Sequence, residues 1–293
     1  MATALSNEKT INMSGLAISA TQLKDPTGAA VNMTELTALT GATLVVPSVT
    51  ATASEVNTLD LSTKFTLIDD FQGTWLITDA ASGPADVWST TAGSGTATEI
   101  ATTVTGSLNG EVTMKSSTDD GANSANTTLI TGQNLGWKAN SGGLAIEARL
   151  KVDAITVVYV GVGFTDTIST TVELPIFMNA ADLDSDAANA FGVIFDTDAT
   201  TDKWTVGGVA TDTDVIPVVS SLAPTAATYT TVRVEITAAG VVTGYIDGVS
   251  IGSVAAGVTV TTALTPFVAV SSRSAAARIL TIDYIKVEQN RIA

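Results

Sequence analysis

Asp182-Leu183-Asp184-Ser185-Asp186 sets carboxylates at every second position, the D-x-D-x-D spacing with which a loop can surround a hard cation with oxygen ligands. Calcium suits that donor set, and Asp182, Asp184 and Asp186 are its candidate ligands. The segment departs from the helix–loop–helix calcium pattern, with Ala187 where glycine is needed and Val193 where a bidentate glutamate is needed. Asp196-Thr197-Asp198 with Asp202, and Asp212 with Asp214, form similar acidic stretches. The competing reading of all three is a solvated turn, in which Asp accepts from its own backbone.

Other chemistry is scarce. The chain has no histidine and no cysteine, which removes the commonest general base, the commonest metal ligand and all thiolate chemistry. Without cysteine there is no disulfide framework either. Glycoside hydrolysis needs two carboxylates facing across a cleft. The nearest segment, Glu147-Ala148-Arg149-Leu150-Lys151, has bases where acids are required. Gly161-Val162-Gly163 and Gly207-Gly208 lack the strand–loop–helix setting and the lysine of a phosphate loop, and read as close backbone approach or a bulge. The tryptophans Trp75, Trp88, Trp137 and Trp204 each lie near a strand candidate, and with aromatics at 5% a sandwich core uses most of them.

Composition narrows the partners. Formal charge is 13 − 29 = −16, so phosphate backbones repel this chain and nucleic-acid binding is not expected. No run of 18 apolar residues suggests a membrane span, and Met1 to Lys9 is too polar to open a signal peptide. With 14% charged and 45% hydrophobic residues, much of the remaining surface must be Thr, Ser, Asn and Gly.

From Leu67 onward the pattern is all-β. Strand candidates are Glu111 to Lys115, Leu144 to Val152, Thr156 to Phe164, Phe191 to Phe195, Trp204 to Val209, Thr231 to Thr237, Val241 to Ile246, Pro266 to Ser271 and Leu280 to Val287. Leu144, Ile146, Ala148 and Leu150 alternate with Glu147, Arg149 and Lys151, which predicts one buried and one wet face. Gly240 joins two of the strands, and Asp247-Gly248 offers the positive φ angles of a tight turn into Val249 to Val254. This V-R-V-E-x-x-x-x-G-x-V-x-x-Y-x-D-G-x-x-x-G run resembles concanavalin A-like and laminin-G-like jelly rolls. Asp69-Asp70-Phe71 and Ile282-Asp283-Tyr284-Ile285-Lys286-Val287 resemble that fold's first and last strands, which pair. The resemblance covers residues 67–293 and implies a jelly-roll β-sandwich. Nothing matches the E-x-D-x-x-E or E-x-D-x-E strand of the fold's glycosidases, so a non-enzymatic module is expected.

Residues 1–66 differ. They hold no Trp or Tyr, and they repeat a short unit: Thr34-Glu35-Leu36-Thr37-Ala38-Leu39-Thr40 returns as Ser54-Glu55-Val56-Asn57-Thr58-Leu59-Asp60. A hydroxyl followed by Glu suits a helix N-terminus, and Leu36 with Leu39, like Val56 with Leu59, makes an i, i+3 apolar stripe. Helices this short need a neighbour, so we read an extended arm with short helical turns that orders against other chains; a flexible leader is the alternative. Thr50-Ala51-Thr52-Ala53-Ser54-Glu55-Val56-Asn57-Thr58-Leu59-Asp60 resembles the T-A-[ST]-E-[LV]-N-x-L-D segments of tailed-bacteriophage virion proteins.

That resemblance implies a capsid decoration protein of the cement or head-fibre type on the capsid surface. Leu36, Leu39, Val56 and Leu59 would bind the major capsid protein and copies of the chain itself, as a homotrimer. The rival is a tail-fibre component whose jelly roll binds host glycans.

Overall fold

The computed structural model describes residues 64–71, 88–93, 110–118, 127–132, 134–168 and 174–290, and the backbone of four further short strands, Thr43–Val46, Val49–Thr52, Thr78–Asp79 and Glu99–Ala101. The chain divides into two units, Met1–Asp60 and Leu61–Ala293. In the first, β1 (Thr43–Val46) and β2 (Val49–Thr52) pair antiparallel, with Val46 opposite Val49. The described part of the expected arm is thus strand, as its Val and Thr content favours. The helical turns expected after Thr34 and Ser54 lie outside the described residues, as do Leu36, Leu39, Val56 and Leu59.

The second unit is two eight-stranded sheets. One runs β15 (Val218–Val219), β14 (Trp204–Ala210), β13 (Asn189–Asp196), β10 (Val158–Thr165), β19 (Thr265–Ser272), β8 (Thr127–Gly132), β5 (Trp88–Ala92), β4 (Thr78–Asp79). All neighbours are antiparallel except β4 with β5. The other runs β18 (Val249–Val254), β17 (Val242–Ile246), β16 (Thr230–Ile236), β9 (Leu144–Val152), β20 (Ile279–Asn290), β7 (Val112–Lys115), β6 (Glu99–Ala101), with β3 (Lys64–Asp69) also on β20.

Strand β9 forms where alternation predicts it, with Leu144, Ile146, Ala148 and Leu150 buried. The β16–β17–β18 meander forms as well, and Asp247 (φ 50°) with Gly248 (φ 79°) supplies the two left-handed positions of its tight turn. The opening and closing strands pair, Leu67 opposite Val287 and Asp69 opposite Ile285. A bulge between Ile282 and Tyr284 lets β20 lie along β9 while serving β7 with one half and β3 with the other.

The core fills the space between the sheets. Val160, Val162, Phe164, Val193, Phe195 and Trp204 from one inner face meet Ile146, Leu150, Val232, Val234, Ile282 and Ile285 from the other. A second apolar layer lies on the outer face of the β10-bearing sheet. There Tyr159, Ile194, Val209 and Phe267 pack under Leu174, Ile176, Met178 and Leu183. Met178 and Leu183 belong to a hairpin, β11 (Phe177–Asn179) with β12 (Asp182–Asp184), and Leu174 and Ile176 to the segment leading into it.

Candidate functional site

Of the candidate cation ligands, Asp182 and Asp184 lie on that hairpin and Asp186 just beyond it. Asp182 and Asp184 stand on strand β12, either side of buried Leu183, so D-x-D here is the period-two alternation of a half-covered strand. The Asp186 carboxylate turns back to accept from the Leu174 amide at 3.2 Å, and Asp184 accepts from the Ser185 amide at 2.9 Å. The Ser185 hydroxyl donates to Asp214 at 2.8 Å. Among the described residues no group of three or more acidic side chains is placed to hold a metal ion. One carboxylate oxygen each of Asp184 and Asp186 thus accepts from a nearby backbone amide, as the turn reading describes.

Beneath the hairpin, glycine makes the close approach possible. Gly163, Gly192 and Gly207 stand opposite one another across β10, β13 and β14, a row without side chains. A Cβ on Gly207 would sit 2.8 Å from Leu183 Cδ1, and one on Gly163 would sit 2.8 Å from Gly192 Cα and collide with the Phe191 carbonyl oxygen. The row is the lane into which Leu183 and Ile176 settle; Gly163 marks close backbone approach, as read from the sequence, and Gly207 the close approach of a side chain.

One end of this layer holds a buried ion pair that pattern reading missed. Arg273 donates from Nε to Asp196 Oδ1 at 2.8 Å and from Nη2 to Asp196 Oδ2. The two side chains are 3% and 0% exposed. Asp196 also accepts from the Met178 amide at 2.9 Å and the Asp198 amide at 3.1 Å, which ties the hairpin to the sheet. The guanidinium lies 5.3 Å from the Tyr159 ring and 5.8 Å from the Phe177 ring. Burial pushes the Asp196 carboxyl up, and Arg273 pulls against it. Burial, reinforced by Asp196, also pushes the Tyr159 phenol up; its hydroxyl donates to the Ile176 carbonyl at 2.8 Å. The available signal was an acid ending the apolar run Phe191 to Phe195, and a lone arginine ending the uncharged run from Gly248 to Ser272.

The outer face of the other sheet is polar and internally paired. Arg233 reaches Glu147 (3.6 Å), Glu235 (2.7 Å) and Glu288 (2.9 Å). Lys64 and Lys286 also reach Glu288, at 2.9 and 3.1 Å. Desolvation would raise the Glu288 carboxyl, but hydrogen bonds from Lys64, Lys286 and Arg233 outweigh it and hold it down to about 2. Arg149 pairs with Asp283, the extra residue of the β20 bulge, at 2.5 Å. Arg149 and Lys151 lie over the Tyr229 ring at 4.1 and 4.3 Å, and the Tyr229 hydroxyl donates to Glu111. The Tyr284 hydroxyl donates to Glu147 at 2.8 Å, and burial first, then that bond, pushes it up to about 12.

For hydrolysis a cleft needs one carboxyl held protonated near a second, ionised one. Asp196, which burial pushes up, is sealed under the hairpin and locked to arginine. Glu288, buried beneath Lys64, Lys286 and Arg233, is held ionised.

The three described tryptophans serve packing. Trp88 is buried and its indole donates to Asp69 at 3.0 Å. Trp137 lies between Phe65 and Phe164, at 5.3 and 6.2 Å. Trp204 packs on Phe195 at 5.7 Å, and its buried Nε1 finds no partner among the described residues. Trp75 lies outside the described residues.

No family model matches this chain, and no curated protein matches it. Solved structures share its architecture. A β-1,3-1,4-glucanase (lichenase) from a mouse hindgut metagenome is 10% identical over 78% of this chain and 99% of its own, with a TM-score of 0.50. A Bacillus licheniformis β-glucanase is 12% identical over 78% of this chain and 98% of its own, TM-score 0.49. The carbohydrate recognition domain of Emp47p is 10% identical over 80% of this chain and 99% of its own, TM-score 0.47. At such identities the likeness is one of fold. The second unit is a jelly-roll β-sandwich, the fold it shares with that lichenase.

Proposed function

We propose that this chain is a non-enzymatic structural protein of a tailed-bacteriophage virion. It decorates the outer capsid surface, held there by its amino-terminal repeats, with the jelly roll facing outward. The observation that carries this reading is the closed state of the sandwich: the outer face of the β10-bearing sheet is filled by the chain's own hairpin, and the charged face of the other sheet is paired within itself. Such a module contributes shape and solubility. Attachment falls to the repeats, whose Leu36, Leu39, Val56 and Leu59 become buried when arms from several copies order between capsid subunits. The test is co-sedimentation with phage heads. The full chain should pellet with them, and a chain carrying Leu36→Asp, Leu39→Asp, Val56→Asp and Leu59→Asp should stay in the supernatant with its jelly roll folded. Equal pelleting of both would end this assignment.

A second reading, a tail-fibre component that binds host glycans, draws on Tyr229, Tyr245 and Tyr284. All three are partly exposed on the outer face of the β9-bearing sheet, where rings could stack on sugars. Competable hits on a glycan array, lost with Tyr245→Ala, would favour it. Sustained cleavage of a polysaccharide would overturn the non-enzymatic reading altogether.

A further inference from the structure

At one side of the sandwich both sheets end together, β15 closing one and β18 the other. The two strands are in contact: Val218 Cγ1 lies 2.5 Å from where a Cβ on Gly252 would stand. Large apolar side chains are exposed along this side, Ile216 at 90%, Val249 at 61%, Val219 at 44% and Leu222 at 40%. No charged residue occurs from Val215 to Val232 or from Gly248 to Ser272, in a chain of net charge −16. Natural edge strands are usually guarded by lysine, other charges or proline. Strand β18, Val-Ser-Ile-Gly-Ser-Val, has none of these; its one irregularity is a bulge at Ile251 on the side paired with β17, and no described strand pairs with its outward backbone edge.

We propose that this side is a self-association surface. Strand β18 of one copy lies antiparallel to β18 of a second across a twofold axis, and Ile216, Val219, Leu222 and Val249 of both copies close over the seam. Charge selects a second copy as the occupant. Two chains of −16 repel wherever carboxylates face one another, and an uncharged edge lets them meet without desolvating acids. A twofold axis makes the patch its own complement, apolar against apolar and backbone donors against acceptors. This contact uses the jelly roll and is independent of how the amino-terminal repeats attach.

Sedimentation equilibrium of the full chain tests it. The wild type should show an even multiple of the 29.7 kDa chain mass. Ile216→Glu/Val249→Glu should halve the wild-type mass, while Ile68→Glu, an equally drastic change at an exposed residue of β3, should leave it unchanged. Because the chain has no cysteine, Ser250→Cys and Ser253→Cys each add a lone thiol that reports the contact even if the double variant fails to fold. On mild oxidation at least one should give a disulfide-linked pair. A double variant that folds and keeps the wild-type mass, with no linked pair from either cysteine, overturns the proposal. That result would leave particle attachment, read by co-sedimentation, unaffected.

Discussion

Arg273→Met removes the guanidinium and leaves Asp196 with two backbone amides and no opposite charge bonded to it. Both side chains are essentially inaccessible to water, and two hydrogen bonds join them. Methionine keeps much of the stem's contact with Tyr159 and Phe177, so the loss is mainly electrostatic. A carboxylate left buried without its partner costs about 3–5 kcal/mol. The backbone amides of Met178 and Asp198 still donate to it, which places the expected loss toward the lower end of that range. For a unit of this size the midpoint should fall by roughly 6–20 °C, at about 2–4 °C per kcal/mol.

The pH dependence follows from the sign of the shift. With Arg273 gone, burial is opposed only by the Met178 and Asp198 amides, and it raises the folded pKa of Asp196 above the unfolded value of about 3.9. A raised acid is well accommodated when protonated, so the variant's deficit should shrink below about pH 4 and widen as pH rises through the folded pKa. Arg273→Met/Asp196→Asn should recover most of the stability at pH 7. Differential scanning calorimetry of the single and double variants at pH 4 and 7 reads all of this. A single variant within about 1 kcal/mol of the wild type at pH 7 would refute the claim that this pair holds the hairpin down.

Gly163→Ala should destabilise by about 2 kcal/mol or more, because backbone lines the space its Cβ would need, whereas Gly136→Ala, with nothing within 4 Å, should be near neutral in urea unfolding. Gly207→Ala should cost less than Gly163→Ala, since its neighbour is the flexible end of Leu183. Glu288→Gln should cost about 1.5–3 kcal/mol at pH 7, because the carboxylate is buried and bonded to three cations. Because Glu288 is held down to about 2, its contribution is present above the ordinary glutamate value of about 4.3 and is lost as pH falls toward 2. The wild type should therefore lose more stability than the Gln variant between pH 5 and pH 2.

Local pattern made part of this architecture legible. Strand β9 shows itself by alternation, and the β16–β18 meander by Asp247-Gly248, because one face is wet and the turn demands positive φ. Strands β5 and β8 escape that reading. Ser89, Thr90, Thr127, Thr128 and Thr131 are all buried, so no polar–apolar rhythm separates them from the Ser/Thr-rich chain around them. The hairpin β11–β12 was hidden for the opposite reason: its acids alternate with Leu183, and the same spacing reads as a cation loop when the chain is taken in isolation. Arg273 and Asp196 are 77 positions apart and meet because β19 and β13 both flank β10, a neighbour relation that no local window contains. The glycine row has the same origin, since Gly163, Gly192 and Gly207 acquire meaning once the register is known.

The central claim, a structural decoration protein of a virion, is tested most directly by the number of copies of this chain per purified particle relative to the major shell protein. Quantitative mass spectrometry of intact, density-purified particles measures it. Hundreds of copies, in near-integer ratio to the shell subunit, are the predicted result. A handful to a few tens of copies would contradict it and make host recognition at the tail the working account.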